Sequence, residues 1–181
     1  NYRSREMGEA LRTLEQAMLC RLVYPTTSTR LPLRPNRRRS PRLQFLDTGL
    51  LCHAVGLQPA LFETAGLDEV QGGLLAEHVV AQELAARGGG MSGPLFWVRE
   101  SKQANAEVDF MLTRGSEVIP VEVKSGKSGR LRSLQEFIDR SDTKMAVRLY
   151  SGKQDVQRVA MSGRTPYTLV SLPLYLAARL P

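Results

Sequence analysis

The stretch "EVDFMLTRGSEVIPVEVKSG", from Glu107 to Gly126, decides the fold class because it predicts the β-hairpin of an α/β sheet. Two apolar-rich runs flank Gly115-Ser116, a pair that suits a two-residue turn since glycine accepts a positive φ. Pro120 weakens this register. It has no N–H to donate to a neighbouring strand, so it indicates an edge strand or a bulge that would shift the pairing by one residue.

Pairing across this turn determines which side chains share a face. It places Asp109 opposite Glu122, and Glu107 opposite Lys124. Since side chains alternate along a strand, we expect one face to be the core, with Val108, Phe110, Leu112, Ile119, Val121 and Val123. The charged residues share the other face, where the opposed carboxylates of Asp109 and Glu122 repel and require a cation. The alternative is a solvated polar face on which Glu107 pairs with Lys124.

A further acid in an apolar setting lies in the helix predicted over Gly72 to Arg87. On a helical wheel, Glu77 falls near the centre of an arc formed by Leu74, Ala76, Val80, Ala81, Leu84 and Ala85. A carboxylate in such a stripe is costly unless it is paired, hydrogen-bonded or bound to a metal. The alternative is a buried glutamate satisfied by a lysine or by the backbone.

The remaining elements fit around the hairpin as an α/β fold. Apolar residues at helical spacing predict a helix from Arg5 to Cys20, followed by a short strand. Prolines and arginines predict an extended, exposed linker or loop from Tyr24 to Pro41. Further strands and helices are predicted in "RLQFLDTGLLCHAVGL", "PLFWVRE", "LRSLQEFIDR" and "KMAVRLYS", and an apolar segment follows around Tyr167 to Leu180.

The composition indicates a cytoplasmic chain that binds a polyanion. A formal net charge of +7 among 181 residues makes nucleic acid a reasonable partner. Cys20 and Cys52 show no metal or disulfide spacing, which favours a reducing cytosol. No apolar run approaches the roughly 20 residues that a membrane helix needs, so no membrane association is expected. The sequence leaves the oligomeric state open.

A glutamate on a helix, then Asp109, then Glu122-Val123-Lys124, resembles the PD-(D/E)XK nuclease family. Three ordered segments are similar to the uncharacterised C-terminal domain that follows an AAA-type ATPase module in many prokaryotic proteins: "PRLQFLDTGLL", "LLAEHVVAQEL" and "EVDF…VIPVEVKSG…LRSLQEFI". This resemblance covers about Pro41 to the C-terminus. It implies a three-layer, restriction-endonuclease-like mixed sheet flanked by helices over residues 41–181.

The residues before Pro41 resemble the end of the winged-helix segment that joins such ATPases to this domain. Arg5 to Tyr24 is similar to the end of that segment with its last helix, so residues 1–40 are expected to hold a winged-helix fragment and the basic linker. The phosphate-binding motif G-x-x-x-x-G-K-[ST] does not occur in the sequence. The resemblance therefore implies that the protein's own AAA ATPase module is missing from this chain and that ATP is not bound here by that route.

The resemblance also implies a metal-dependent catalytic site formed by Glu77, Asp109, Glu122 and Lys124. Asp109 and Glu122, with the Val123 carbonyl, offer the hard oxygen ligands that suit Mg²⁺ or Mn²⁺. Lys124 could orient the attacking water or stabilise developing charge. Glu77 could support the ion or bind a second one. Glu107 is left without a role.

Two functions are compatible with such a site. The first is a nuclease-like domain of an AAA-type ATPase that hydrolyses nucleic-acid phosphodiester bonds with a divalent metal. The second is a catalytically silent nucleic-acid or protein docking or regulatory domain of the ATPase. In the first function, Arg34 to Arg42 are expected to form a mobile loop that adds nucleic-acid affinity without sequence choice. The sequence does not decide between DNA and RNA.

Other motifs have structural interpretations. Asp47-Thr48-Gly49, the tripeptide of aspartic proteases, leads into an apolar helix, so Asp47 is predicted to be a helix N-cap. His53 and His78 lack partners at metal spacing and are expected to be packed or surface histidines. Gly88 to Gly90 is expected to end a helix. Trp97 is expected in the core or on the sheet face.

Overall fold

The computed structural model describes residues 4–57, 72–87, 95–100, 106–126 and 131–180. The elements in chain order are α1 (Ser4–Gln16), β1 (Cys20–Val23), β2 (Pro25–Thr26), β3 (Arg42–Phe45), α2 (Thr48–Ala54), α3 (Gly72–Arg87), β4 (Leu95–Val98), β5 (Glu107–Arg114), β6 (Glu117–Val123), α4 (Arg132–Ile138), β7 (Met145–Tyr150), β8 (Asp155–Val159), β9 (Tyr167–Pro173) and a 3-10 helix (Leu174–Arg179). Strands interleave with helices along the chain, as the sequence predicts for an α/β fold.

Seven of the described strands form one mixed sheet in the order β2-β4-β5-β6-β7-β9-β8. The pairs β4–β5, β5–β6 and β8–β9 are antiparallel, whereas β2–β4, β6–β7 and β7–β9 are parallel. Strands β1 and β3 form a separate antiparallel pair. The β5–β6 hairpin therefore lies inside the large sheet, with strands on both sides of it.

Helices cover both faces of this sheet, and each face has its own apolar core. Helix α3 and the 3-10 helix pack on one face, against side chains that include Phe110, Val121 and Leu149. Helix α4 packs on the other face, where the rings of Trp97 and Phe137 meet edge to face with centroids 5.3 Å apart. The predicted three-layer α/β architecture, a mixed sheet flanked by helices, is confirmed, and Trp97 is a core residue.

The hairpin turns at Gly115-Ser116, as predicted, and Gly115 has a φ of 59°, in the region that favours glycine. Five consecutive residue pairs extend from this turn to Phe110 opposite Val121 without a shift. This is the register predicted from the turn. The local sequence is therefore sufficient to define how the two strands pair near the turn.

Pro120 does not produce the bulge considered above. It lies opposite Met111 within the uninterrupted register, and it is buried. The pairing of β6 with β7 begins at Val121, so Pro120, which lacks an N–H, precedes the first of these pairs. A proline is tolerated inside the sheet at this position.

A bulge is present instead in β5, where that strand faces β4. The two strands pair at Leu95–Met111 and again at Trp97–Val108, so two steps along β4 correspond to three along β5. As a result, Val108 lies with Met111 in the core beside α4, whereas Phe110 lies in the core beside α3. The prediction that Val108 shares a face with Phe110 is wrong, because the extra residue interrupts the alternation.

The N-terminal part contains a helix and a strand, as predicted, but the helix is shorter and the strand begins earlier, at Cys20. Helix α1 ends at Gln16 rather than Cys20, and the chain turns through Met18 at a φ of 58°. The segment between β2 and β3 has no helix or strand, and it exposes Arg34, Arg37, Arg38 and Arg39. Pairing of β1 with β3 and of β2 with β4 joins residues on both sides of position 40. The division of the chain at that position stays a prediction.

The ends of the described helices agree with local signals in the sequence. Asp47 caps α2 as predicted, because its carboxylate accepts a hydrogen bond of 3.0 Å from the N–H of Leu50. The predicted helix end at Gly88 to Gly90 lies outside the described residues. Within the described ranges, no helix combines the length and the apolar composition needed to cross a membrane.

Candidate functional site

Charged side chains from four elements meet where the hairpin opens, away from its turn. This acid cluster consists of the carboxylates of Glu77, Glu107, Asp109 and Glu122 and the cations Arg42 and Lys124. Helix α3 supplies one carboxylate, β5 supplies two and β6 supplies the fourth, while Arg42 opens β3. The regular pairing of β5 with β6 stops at Phe110 opposite Val121, so the cluster lies just beyond the last regular pair.

Arg42 is the residue that links these acids. It donates a hydrogen bond from Nη2 to Glu107 Oε1, and the same nitrogen lies 3.8 Å from Asp109 Oδ1. Its Nη1 lies 3.7 Å from Glu77 Oε2. The guanidinium carbon lies 4.4 Å from the ring centroid of Phe96, which supports the planar group from one side. One guanidinium therefore holds carboxylates from two elements together.

The Asp109 carboxylate is anchored by the backbone of the neighbouring strand. Its Oδ2 accepts a hydrogen bond of 2.8 Å from the N–H of Val123, beyond the last regular β5–β6 pair. The side chain is only 10% exposed. Oδ1 has Arg42 at 3.8 Å, which is an ion pair longer than a hydrogen bond. One oxygen of this buried carboxylate thus has a backbone hydrogen bond, and the other has only the longer ion pair with Arg42.

Glu122, in β6, pairs with Lys124, the residue that follows the end of that strand. Lys124 Nζ donates to Glu122 Oε1 over 2.6 Å, and the side chain of Glu122 is only 8% exposed. The other oxygen, Oε2, is buried, and the described residues offer it no hydrogen-bond partner. The alternative pairing of Glu107 with Lys124 is wrong, because Glu107 forms an ion pair with Arg42 and Lys124 forms one with Glu122. A buried carboxylate oxygen without a partner is an energetic cost that a ligand can remove.

The cluster combines four carboxylates with two cations, and three of its acids have raised pKa values. Burial raises the pKa of Glu77 to about 7, the charge of Asp109 adds to this, and Arg42 opposes it. Burial and then the charge of Asp109 also raise the pKa of Glu122 to about 7, against the opposing effect of Lys124. The pKa of Asp109 is raised as well, since burial outweighs the hydrogen bond from Val123. An added cation would favour the ionised form of all three.

The cluster offers carboxylate oxygens but no closed metal centre among the described residues. Among the described residues, no group of three or more His, Cys, Asp or Glu side chains is arranged to hold a metal ion. Glu122 Oε2 has no hydrogen-bond partner among the described residues, and Asp109 Oδ1 has the 3.8 Å ion pair with Arg42. Mg²⁺ commonly uses one or two carboxylates and takes its remaining ligands from water and substrate phosphate. Two carboxylates are compatible with that mode of binding if Arg42 releases Asp109.

All four predicted site residues lie in this cluster, although their roles stay predictions. Arg42 contacts both Glu77 and Asp109, and Glu122 contacts Lys124. The setting of Glu77 differs from the predicted one, because its side chain is 42% exposed. In the predicted apolar arc, Leu74 is exposed, while Leu75 and His78 are buried instead. Glu77 stands in the first turns of α3, at the edge of the buried part of the helix.

Arg42 is the member of the cluster that sequence reasoning missed. It was grouped with the linker arginines, although it opens the segment "RLQF" that forms β3. The signal that could have identified it was the requirement for a cation between opposed carboxylates. That requirement predicts that a cation is present, but it does not say which residue supplies it, because Arg42 is far in sequence from Glu107 and Asp109.

Two family models match this chain. One, described as Domain of unknown function (DUF4143), matches residues 72–174, which is more than half of the chain and includes all four carboxylates and Lys124. The other, described as Domain of unknown function (DUF8612), matches residues 1–61 and includes Arg42. No curated protein and no solved structure matches the chain. The acid cluster thus contains residues from both matched regions.

Proposed function

Because the chain belongs to the family of domains of unknown function DUF4143, which is associated with AAA-type ATPases, we propose that it is a nuclease-like domain of the PD-(D/E)XK type. Its activity would be hydrolysis of nucleic-acid phosphodiester bonds with Mg²⁺ or Mn²⁺. The observation that supports this most is the pair of buried carboxylates, Asp109 and Glu122, in a cluster of four acids and two cations: Glu122 Oε2 has no hydrogen-bond partner among the described residues, and Asp109 Oδ1 has only a 3.8 Å ion pair with Arg42.

The residues of the cluster suit distinct roles in such a reaction. Asp109 Oδ1 and Glu122 Oε2 would hold the ion, which when bound positions the scissile phosphate and lowers the pKa of a water. Lys124, held by Glu122 at 2.6 Å, would orient the attacking water or stabilise developing negative charge. Glu77, with a pKa of about 7, could take up or release a proton near neutral pH.

Arg42 would have two roles. Without an ion it offsets the repulsion among Glu77, Glu107 and Asp109, which keeps the site assembled. With substrate present, its planar fork can bind phosphate oxygens, as arginine does in many phosphate sites. Glu107 then holds the guanidinium in place, which assigns a function to a carboxylate that the sequence left without one.

The nucleic-acid partner is supported by the exposed basic segment. Arg37, Arg38 and Arg39 are exposed in a chain of net charge +7. Phosphate contacts release counterions and make affinity depend on salt. Log affinity for a DNA or RNA strand falls as log salt concentration rises. Replacing these three arginines by serine should make this dependence less steep, as measured by fluorescence anisotropy. An unchanged slope would mean that these arginines contact no phosphate and belong to a solvated loop.

The second candidate function is a catalytically silent docking or regulatory domain of the ATPase. One observation favours it: Arg42 already neutralises carboxylates in the cluster, and the described residues contain no group of three metal-binding side chains. In that function the cluster would stabilise the fold or bind a protein partner, and no divalent ion would be required.

Calorimetry and a nicking assay separate the two functions. The wild-type chain should bind Mg²⁺ or Mn²⁺ with measurable heat and nick DNA or RNA in Mn²⁺. Asp109→Asn should weaken ion binding while leaving the ion-free fold at least as stable, because an amide oxygen can still accept from Val123. Lys124→Ala should keep ion binding and abolish nicking. Asp142→Asn and Lys153→Ala, at exposed positions, are matched controls that should change neither.

If the wild-type chain gives no heat with either ion at millimolar concentration and no Mn²⁺-dependent nicking, the nuclease proposal fails. The docking function then takes its place.

A further inference from the structure

An open groove of about 730 Å³ lies beside β2, the strand at one edge of the seven-stranded sheet. This edge groove is lined by residues 26–28 and 34–38 and by Pro32. Arg34, Arg37 and Arg38 are exposed there, and none of the lining residues is acidic. An open surface of this size with charge of one sign attracts a ligand of the opposite charge. The edge groove therefore suits an anionic chain that lies across the surface.

The backbone that carries these arginines is attached to the rest of the fold. The N–H of Asn36 donates to the carbonyl of Pro25 over 2.7 Å. Thr29 Oγ1 donates to the carbonyl of Arg140, just after α4, over 2.9 Å. Leu33 packs against the apolar core beside α4. The segment that the sequence predicts to be a mobile loop is therefore held at three places, so its arginines project from a backbone with defined contacts.

The charges of the edge groove are not neutralised within the part of the chain that the structure describes. The ion pairs found there involve other arginines, and none includes Arg34, Arg37 or Arg38. The guanidinium carbon of Arg37 lies 5.7 Å from the ring centroid of Tyr24, which supports the cation without neutralising it. These arginines differ in this from Arg42, and their charge is available to an anion from outside.

The edge groove adjoins the acid cluster. Pro25, which accepts the hydrogen bond from Asn36, lies opposite Phe96 in the pairing of β2 with β4. Phe96 is the ring on which Arg42 of the acid cluster stacks, at 4.4 Å. Val23, in β1, pairs directly with Arg42. A chain bound at the acid cluster can therefore continue into the edge groove without crossing another element.

We infer that the edge groove holds the phosphodiester backbone of a nucleic-acid strand to one side of the phosphate that lies at the acid cluster. The inference rests on the proposed function, and it adds a second phosphate site that fixes the strand in position. A guanidinium donates two parallel hydrogen bonds to phosphate oxygens. A divalent ion on carboxylates commonly takes substrate phosphate as a ligand, so one phosphate chain can occupy the cluster and the groove together. An acidic peptide in the groove is the alternative that the experiment excludes.

The experiment measures strand binding in Ca²⁺, a hard cation with the same preference for oxygen ligands, by fluorescence anisotropy of a labelled single-stranded oligonucleotide. One neutral methylphosphonate linkage replaces a phosphate at each position in turn. Two places in the strand should respond: the linkage at the acid cluster and a linkage to one side of it, in the edge groove. The groove linkage should reduce the slope of log affinity against log salt by about 0.7, the value for one phosphate contact on a single strand.

Two variants assign the two responses. Arg37→Gln should abolish the response of the groove linkage and lower the salt slope by about 0.7, while the response at the acid cluster remains. Asp109→Asn should abolish the response at the acid cluster and keep that of the groove linkage. Arg39→Gln, exposed in the same segment but outside the groove lining, and Arg158→Gln, exposed on β8 at the opposite edge of the sheet, are matched controls. Both should keep the wild-type slope and both responses.

The outcomes separate this inference from the proposed activity. A small, equal effect at every linkage, as a mobile basic loop would give, overturns the edge groove as a site, even if Mn²⁺-dependent nicking is found. Polyglutamate that binds more tightly than the strand and requires Arg37 assigns the groove to an acidic protein and also overturns the inference. A groove response that depends on Arg37, in a chain that never nicks the strand, supports the groove and overturns hydrolysis. A wild-type chain that binds no strand overturns both.

Discussion

The two ends of the β5–β6 hairpin carry the same kinds of side chain in different surroundings. At the turn, Arg114 and Glu117 form an ion pair of 3.1 Å in which both side chains are more than half exposed. At the open end, Arg42 faces three carboxylates, and Glu122 is only 8% exposed. The turn pair joins residues three positions apart, whereas the open end collects residues from four elements. Neighbours in the sequence determine the first arrangement, and the assembled fold determines the second.

This difference in exposure changes what an ion pair contributes. An exposed pair such as Arg114–Glu117 contributes roughly 0–1 kcal/mol, because water and salt screen it. Removing a partly buried cation from among several carboxylates lowers the free energy of unfolding more, because the remaining acids are desolvated and repel one another. Burial first, and then the charge of Asp109, raise the pKa of Glu77 and of Glu122 to about 7 with Arg42 and Lys124 in place. The open end therefore depends on its cations more than the turn does.

The largest effect is expected from removing Arg42. At pH 8 in a chelating buffer, Arg42→Gln should lower the free energy of unfolding by about 2 kcal/mol, less than the roughly 3–5 kcal/mol of a fully buried pair, because the side chain is one-third exposed. Urea unfolding measures this, with Arg114→Gln as the matched control, which should change stability by less than about 0.5 kcal/mol. Equal losses for the two variants would contradict the contrast between the two ends.

The next effect is a dependence of stability on pH. The folded pKa of Glu122 is raised from 4.5 to about 7, so between these values the folded chain binds more protons than the unfolded chain. Without a divalent ion, stability should therefore fall as pH rises through this window, by on the order of 1 kcal/mol per pH unit. Glu77 acts in the same direction. His78, whose folded pKa is lowered, acts in the opposite direction below about pH 6.5.

Glu122→Gln isolates the contribution of that carboxylate. Chemical unfolding at pH 5, 6, 7 and 8 should give a flatter profile for this variant than for the wild type, while the contribution of His78 cancels between the two. Glu83→Gln, at an exposed position of α3, is the control that should keep the wild-type profile. A wild-type stability that rises steadily from pH 5 to 8 would contradict the raised folded pKa values of Glu77 and Glu122.

The sequence predicts features that depend on neighbouring residues better than features that depend on the assembled fold. The turn at Gly115-Ser116, the register beside it and the cap at Asp47 were all predicted, because each depends on residues close together in the chain. The face occupied by Val108 was not, since it depends on a bulge relative to β4, a strand that sequence reading places but cannot align. Arg42 was not found, because a cation's contribution to a cluster depends on the position of β3 in space.

The candidate site shows the same limit. Sequence reading selected Glu77, Asp109, Glu122 and Lys124, and these residues do lie together. It selected them from the alternation of side chains along the hairpin strands, from the apolar residues around Glu77 on a helical wheel, and from a family resemblance. It could not supply the partner of each charge, because ion pairs between separate elements depend on packing distances that no spacing in the sequence encodes.

A smaller effect is expected at the turn itself. Gly115 has a φ of 59°, and a side chain added there would meet nothing within 4 Å, so the cost of substitution is confined to the backbone. Gly115→Val should lower stability by about 1 kcal/mol, and Gly115→Asn by less, since asparagine tolerates this conformation better. Neither should alter the pH profile, because the turn is remote from the acid cluster. A changed profile would mean that the two ends of the hairpin are coupled.

The smallest effect is expected for the coupling between Arg114 and Glu117. A double-mutant cycle with Arg114→Gln and Glu117→Gln should give a coupling energy below about 0.5 kcal/mol, which should disappear in about 1 M NaCl because both side chains are exposed. The same cycle with Arg42→Gln and Glu107→Gln should give more than about 1 kcal/mol and should resist salt, since Arg42 and Glu107 are only 33% and 39% exposed. Urea unfolding of the four proteins in each cycle supplies both values. If the turn pair proved as strong and as resistant to salt as the Arg42 pair, the difference in exposure would not explain the difference between the two ends of the hairpin.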